Sequence, residues 1–186
     1  MRYILFLILL VAANLTFGQT KISETDLYKL DSLIARKLSD HRAQNSLPVL
    51  MESQILTSTA RHHSEYMKLS TIVGHEELMD IPRFNNINNP RKRVAHYANY
   101  EIADDNLFGE ICLGIPTKKI DDLEEAANEI FEELLKNNNR FLIEHMEASY
   151  LGLSTKLDKK SLYATVMIGI GYNNIVAVLE AKASNE

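Results

Sequence analysis

Residues 56–67 read LTSTARHHSEYM. The apolar and small residues of this stretch recur at three- and four-residue intervals, the spacing that places side chains on one face of an α-helix. That face comprises Leu56, Ala60, His63 and Met67. The pattern predicts a helix from Met51 to about Leu69, with His63 as a buried, hydrogen-bonded histidine of the core.

The rest of the chain is predicted to contain further helices, followed mostly by strands. Apolar periodicity predicts helices over 26–44 and 121–136, and Asn89-Pro90 predicts the start of another that ends near Tyr97. Strands are predicted at 107–115, 150–155 and 162–172, and loops at 70–89 and 137–139. Because the last two strands are adjacent in sequence, the chain is expected to be α+β with an antiparallel sheet.

The N-terminus predicts export. Arg2 precedes an uncharged apolar run from Tyr3 to Ala13, which is followed by the small residues Thr16 and Gly18. As a helix this run rises about 16 Å, too little for a hydrocarbon core of roughly 30 Å. We therefore predict that residues 1–18 are a signal peptide cleaved before Gln19, rather than an uncleaved membrane anchor.

Composition narrows the range of functions. The formal net charge is −5, which does not favour nucleic acid as a partner. No apolar run after residue 18 is long enough for stable membrane insertion. Cys112 is the single cysteine, so no internal disulfide can form, and its apolar surroundings predict a buried rather than a reactive thiol.

The order of these motifs resembles the CAP superfamily, also called SCP domains, which includes the cysteine-rich secretory, antigen 5 and pathogenesis-related-1 proteins. The resemblance covers residues 27–172 and leaves 173–186 as a C-terminal tail. It rests on the helix motif, Gly74-His75, Arg93, Gly109-Glu110-Ile111, Asn139-Arg140, Leu151-Gly152-Leu153 and Tyr163-Ala164-Thr165. It implies a three-layer α-β-α sandwich around a central antiparallel sheet.

The same resemblance implies a cleft lined by two histidines and two glutamates, which binds a divalent metal in some members. His75 and Glu110 match the first pair, and we expect them to interact because a carboxylate on an apolar strand needs a partner. Asn139 stands where the second histidine is expected, next to Arg140. An amide does not titrate and is a poor zinc ligand. The second glutamate has no clear counterpart; Glu132 and Glu133 are nearest, on the expected solvated face of their helix.

The sequence therefore predicts a secreted or periplasmic binding module with a degenerate cleft at His75, Glu110, Asn139 and Arg140. Its expected ligand is lipid, peptide or an envelope component, as the resemblance implies. The alternative is a hydrolase that uses His75 and Glu110, with or without a zinc ion held by these two residues. A third reading makes the cleft residues purely structural. No nucleophile motif, phosphate loop or His-Glu-x-x-His pattern is present in the sequence.

Overall fold

The computed structural model describes residues 22–84, 86–99, 108–120 and 122–170. Its helices are α1 (Leu27–Gln44), α2 (Gln54–Ser70), α3 (Pro90–Ala98), α4 (Leu123–Leu134) and α5 (Asn137–Ile143). Its strands are β1 (Met51–Glu52), β2 (Phe108–Pro116), β3 (Ala148–Leu157) and β4 (Ser161–Ile170). Short 3₁₀ turns lie at 24–26, 82–84 and 117–119. The predicted signal peptide, the tail from residue 173, and residues 107, 121, 171 and 172 of the predicted elements lie outside the described residues.

The strands form one sheet in the order β1-β3-β4-β2. β2 and β3 are both antiparallel to β4, as the sequence predicts, whereas the two-residue strand β1 runs parallel to β3 at the edge. Helices α1 and α4 cover one face of the sheet, and α2 and α3 cover the other. This arrangement is the predicted three-layer α-β-α sandwich.

Two local predictions are wrong. The second helix begins at Gln54 rather than Met51, because Met51 and Glu52 pair with β3 and Ser53 caps the helix by accepting a bond from the Leu56 main chain. Residues 137–139, predicted as a loop, begin helix α5. Polar residues of this kind favour loops only weakly, and the buried Ile143 ties the short helix to the core.

The alternation of side chains along the strands separates two unlike faces. One face, against α1 and α4, is apolar and holds the main core, including Ile111, Leu153 and Val166. On the other face Tyr150 and Met167 pack with Leu56 and Ala60 of α2. The same face also receives Glu110 and Cys112, because they alternate with Ile111 along β2. The Glu110 and Cys112 side chains thereby lie on the side of α2 and α3.

Buried arginine Arg42 joins the chain segments at one end of the sheet. Its guanidinium donates to the carbonyl oxygens of Pro48, Ile143, His145 and Ala148 at 2.6–3.1 Å. These bonds tie the turn after α1 to the end of α5 and the start of β3. Among the described residues, no helix is long and apolar enough to cross a membrane.

The close approach of α2 to β3 gives a test of the sandwich. A Cβ at Gly152 would lie inside contact distance of the Leu56 and Thr57 backbone, whereas a Cβ at Gly74 would meet no atom within 4 Å. We expect Gly152→Ala to lower the free energy of unfolding by about 3 kcal/mol or more, because backbone cannot move aside as a flexible side chain can. Chemical denaturation measures this, with Gly74→Ala as the matched control. Equal stability of the two variants would contradict the packing.

Asp31 of α1 gives a second test. Its carboxylate accepts a 2.7 Å bond from the Thr155 hydroxyl, and burial raises its pKa to about 6 from an ordinary value of 3.8. A raised pKa means that the folded state holds the proton more tightly, so this residue's contribution to stability is lost as pH rises from about 4 to about 6. We expect Asp31→Asn to flatten the pH dependence of unfolding in that window and to preserve or raise stability at pH 7. A stability loss at pH 7 that vanishes at pH 4 would contradict this assignment.

Candidate functional site

The candidate site lies where β2 meets the loop between α2 and α3. Glu110 projects from β2 on the side of α2, and its side chain is 2 % exposed. His75 lies on the loop, and its side chain is 59 % exposed. Val73 packs against Gly114 so closely that a Cβ at Gly114 would lie 2.6 Å from its Cγ2, which draws the loop onto the strand. The His75 Nδ1 atom thereby lies 3.1 Å from Glu110 Oε1.

A buried guanidinium holds the Glu110 carboxylate. Arg93 of α3 is fully buried, and its Nη2 donates to Glu110 Oε2 at 2.7 Å and to Oε1 at 2.9 Å. The same nitrogen donates to the His75 carbonyl oxygen at 3.0 Å, which fixes the loop backbone as well. One side chain therefore positions both the strand carboxylate and the loop that carries the histidine.

Glu77 is the second buried carboxylate of the site, and the sequence did not reveal it. It is 5 % exposed, and its Oε1 accepts from Arg93 Nη1 at 3.1 Å and contacts His63 Nδ1 at 2.9 Å. His62 Nε2 lies 3.4 Å from Oε2 of the same carboxylate, without the alignment of a hydrogen bond. The only sequence signal was indirect: a buried arginine and a buried histidine both need an acceptor, and Glu77 follows His75 by two residues.

His63 is the satisfied core histidine that its position on the apolar face of α2 predicts. Its ring is fully buried, and Nε2 lies 2.6 Å from the Gly74 carbonyl oxygen. A carbonyl can only accept, so Nε2 donates, and Nδ1 interacts with Glu77. His63 thus holds the loop immediately before His75.

The charges of the cluster compensate one another. Burial alone would raise the pKa of Glu110, but its hydrogen bond with His75 and the charge of Arg93 hold that pKa below its usual range. Burial alone would also raise the pKa of Glu77. The interactions with His62, His63 and Arg93 outweigh burial, so the pKa of Glu77 is lowered. The hydrogen bond with Glu110 raises the pKa of His75. Both carboxylates are therefore ionised at neutral pH.

Comparisons with known structures bear on this fold. No family model and no curated protein matches the sequence. An extracellular protein from Bacillus anthracis str. Ames that contains an SCP domain is similar in structure, with a TM-score of 0.60 at 15% identity over 82% of this chain. This chain spans only 45% of that protein's length. An outer surface protein from Borrelia burgdorferi gives a TM-score of 0.54 at 13% identity and is covered over 99% of its length by 83% of this chain.

The chain has the CAP fold. At these identities the likeness establishes the architecture alone, and the chemistry of the cleft has to be argued from this chain's own residues. The expected three-layer sandwich is confirmed, with β1 as the parallel strand described above.

The remaining cleft residues expected from the CAP resemblance lie on α5 and α4. Arg140 of α5 donates to Glu144 at 2.9 Å and is 58 % exposed. On α4, Glu133 pairs with Lys136 at the surface. The described residues lining the pocket at His75 are His75, Glu76, Asn89, Pro90, Arg91, Phe108 and Glu110, with a volume of about 430 Å³. A binding role for Asn139 and Arg140 stays a prediction.

The donors around Glu110 fit the divalent metal that the CAP resemblance implies. Imidazole nitrogen and carboxylate oxygen are zinc ligands. Arg93 takes the shorter of its two bonds to Oε2, whereas Oε1 faces His75 Nδ1 at 3.1 Å and the thiol of Cys112 at 3.4 Å. Arg93 thus contacts both oxygens, and Oε1 also faces two further donor atoms.

Removal of the guanidinium tests the cluster. We expect Arg93→Met to lower the free energy of unfolding at pH 7 by about 3–5 kcal/mol, because two buried carboxylates lose their cation. The deficit relative to the unchanged protein should shrink below about pH 4.5, the ordinary value for Glu77 and Glu110, since protonated carboxyls need no counter-charge. Urea unfolding across pH measures both effects.

Arg140→Met is the matched control, because it removes only an exposed ion pair, which solvent screens. If Arg93→Met were as mild as this control, the buried cluster would not be a determinant of stability.

Proposed function

We propose that this chain is an exported binding module whose cleft at His75 recognises a peptide segment of an envelope or partner protein. The observation that carries the proposal is the contrast between Glu110 and His75. Glu110 has both oxygens held by Arg93, whereas His75 is the exposed end of the same network. A carboxylate fixed by a guanidinium is a weak base, but it orients a histidine well for recognition.

The surface beside the cleft supports binding of a partner. The segment from Leu69 to Met79 exposes five large apolar side chains: Leu69, Ile72, Val73, Leu78 and Met79. Leu78 is 77% exposed. Exposed apolar side chains concentrated in one segment are typical of interaction sites on soluble proteins. The segment carries His75 at its centre, so the apolar contacts and the polar cleft form one recognition surface.

A peptide suits this surface better than a lipid or a glycan does. The pocket at His75 is lined by the polar side chains of Glu76, Asn89 and Glu110 and by only two apolar residues, which gives no deep apolar cavity for an acyl chain. The adjoining apolar side chains in turn suit aliphatic or aromatic side chains rather than sugar hydroxyls. A peptide supplies both kinds of group together.

Export is part of the proposal. The N-terminal residues have the pattern of a signal peptide, and the two similar structures are named as extracellular and outer surface proteins. Hydrolysis remains the competing function, and it is less favoured because Glu110 is held by Arg93 and burial raises the pKa of the Cys112 thiol. A zinc ion held by His75 and Glu110 would supply Lewis acidity to such a reaction.

Peptide selection on the purified chain from residue 19 tests the proposal. A peptide library is screened, and the selected peptide is titrated by fluorescence anisotropy. We expect His75→Ala and Leu78→Ser each to weaken binding by about tenfold or more, the effect of losing a central contact. Met146→Ser is the matched control, since Met146 is 74% exposed and lies outside the segment.

Three results would count against the proposal: no peptide selected, equal binding by all three variants, or a fatty acid recovered by solvent extraction of the purified protein. Cleavage of the selected peptide, lost in His75→Ala, would instead establish the hydrolase.

A further inference from the structure

We propose that Cys112 is the third protein ligand of the divalent, zinc-type ion that the CAP resemblance implies for His75 and Glu110. Cys112 follows Glu110 by two residues on β2, so both side chains project from the same face of the strand. Its Sγ lies 3.4 Å from Glu110 Oε1 and 3.6 Å from His75 Nδ1. Three donor atoms of different chemistry thus converge on one point.

The spacing of these atoms matches tetrahedral coordination. Zinc binds nitrogen and oxygen at about 2.0–2.2 Å and thiolate at about 2.3 Å, which places tetrahedral ligand atoms roughly 3.3–3.6 Å from one another. The three observed separations are 3.1, 3.4 and 3.6 Å. An ion can therefore enter between the donors with shifts of a few tenths of an ångström.

The surroundings supply the support that metal ligands need. Arg93 Nη2 donates to both Glu110 oxygens, at 2.7 Å to Oε2 and at 2.9 Å to Oε1. With an ion at Oε1, the shorter bond to Oε2 still fixes the orientation of the ligating carboxylate. Arg93 places a positive charge near the ion. A thiolate and a carboxylate add two negative charges, which neutralise the divalent ion itself.

His63 is not the third ligand, although its ring lies nearby. Three donor atoms lie within 4.8 Å of one another: a ring nitrogen of His63, a carboxylate oxygen of Glu110 and the sulfur of Cys112. The His63 Nε2 atom is 4.0 Å from Glu110 Oε1, but it already donates to the Gly74 carbonyl at 2.6 Å. The His75 Nδ1 atom instead contacts the carboxylate of Glu110, which is itself a proposed ligand. His75 is also the exposed residue among the proposed ligands.

The exposed histidine gives the ion an entry route and an open position. Because the His75 side chain is 59 % exposed and borders the pocket, a fourth ligand can come from solvent or from a bound partner. Formation of the metal–sulfur bond deprotonates the thiol, and the proton leaves to solvent. His75 binds as the neutral imidazole, so the Nδ1 proton that faces Glu110 Oε1 is exchanged through solvent for one on Nε2. Cys112 thereby supplies the donor that Asn139 cannot.

Cobalt substitution tests this site without any activity assay. The reduced, metal-free chain from residue 19 is titrated with Co²⁺ and then with Zn²⁺. We expect one ion per chain, the intense visible bands of tetrahedral cobalt, and a sulfur-to-cobalt charge-transfer band in the near ultraviolet. Because the chain has one cysteine, that band identifies Cys112 without ambiguity.

Substitution of Cys112 and of His75 tests each of these proposed ligands separately. We expect Cys112→Ala to abolish the charge-transfer band and His75→Ala to abolish the tetrahedral spectrum. Each should lower zinc affinity by more than about tenfold, the loss seen even for groups beyond the direct ligands. His145→Ala is the control and should bind as the unchanged chain does. An octahedral cobalt spectrum without a sulfur band, or equal zinc affinity of Cys112→Ala and the unchanged chain, would overturn the proposal.

A direct measurement of the metal ligands does not depend on the variants. X-ray absorption of the zinc-loaded chain should show one sulfur bound to the metal, and its absence would overturn the proposal even if a variant failed to fold.

The inference concerns the cleft proposed above for peptide binding. Peptide titration with and without a chelator separates the two, because peptide binding that survives chelation leaves the function standing whatever the cobalt spectrum shows.

Discussion

The site depends on one buried interaction, the contact of the Arg93 guanidinium with two carboxylates. Glu110 comes from β2 and Glu77 from the loop after α2, and neither could remain ionised inside the protein without a cation between them. Arg93 also binds the His75 carbonyl, so the ion pairs determine where the loop backbone runs. A change at this residue would alter the strand carboxylate, the loop and the exposed histidine together.

The two faces of the sheet differ in chemistry. The apolar face of the sheet, covered by α1 and α4, contains aliphatic side chains and no part of the charge cluster. The opposite face combines a smaller apolar core with the charges around Arg93. The close contact of α2 with Gly152 fixes the helix that carries His63, and His63 in turn fixes Gly74. The packing of α2 against β3 thus positions the loop that carries His75.

The cleft combines two properties that are usually separate. His75 and the apolar side chains around it offer a surface for a peptide, whereas the atoms beneath His75 offer a small set of metal donors. Both depend on the proximity of His75 Nδ1 and Glu110 Oε1, which are 3.1 Å apart. An ion bound there would hold His75 in one orientation, and its open position would face the partner. The surface and the ion site would then act on the same ligand.

Residue spacing determined the α+β class, the face of α2 and the core position of His63, because each follows from the periodicity of one element or from the order of the elements. The partnership expected of His75 and Glu110 came from the CAP resemblance and from the cost of burying a carboxylate. Spacing could not reveal Glu77, which becomes significant only when the loop folds back onto Arg93. It also could not place Cys112 beside His75, since the two are 37 residues apart and meet only when Arg93, His63 and Val73 hold the loop against the sheet. The start of α5 at Asn137 was likewise set by tertiary packing of Ile143 rather than by local preference. Local patterns fix what an element can be, whereas the cost of burying charge decides which distant residues must meet.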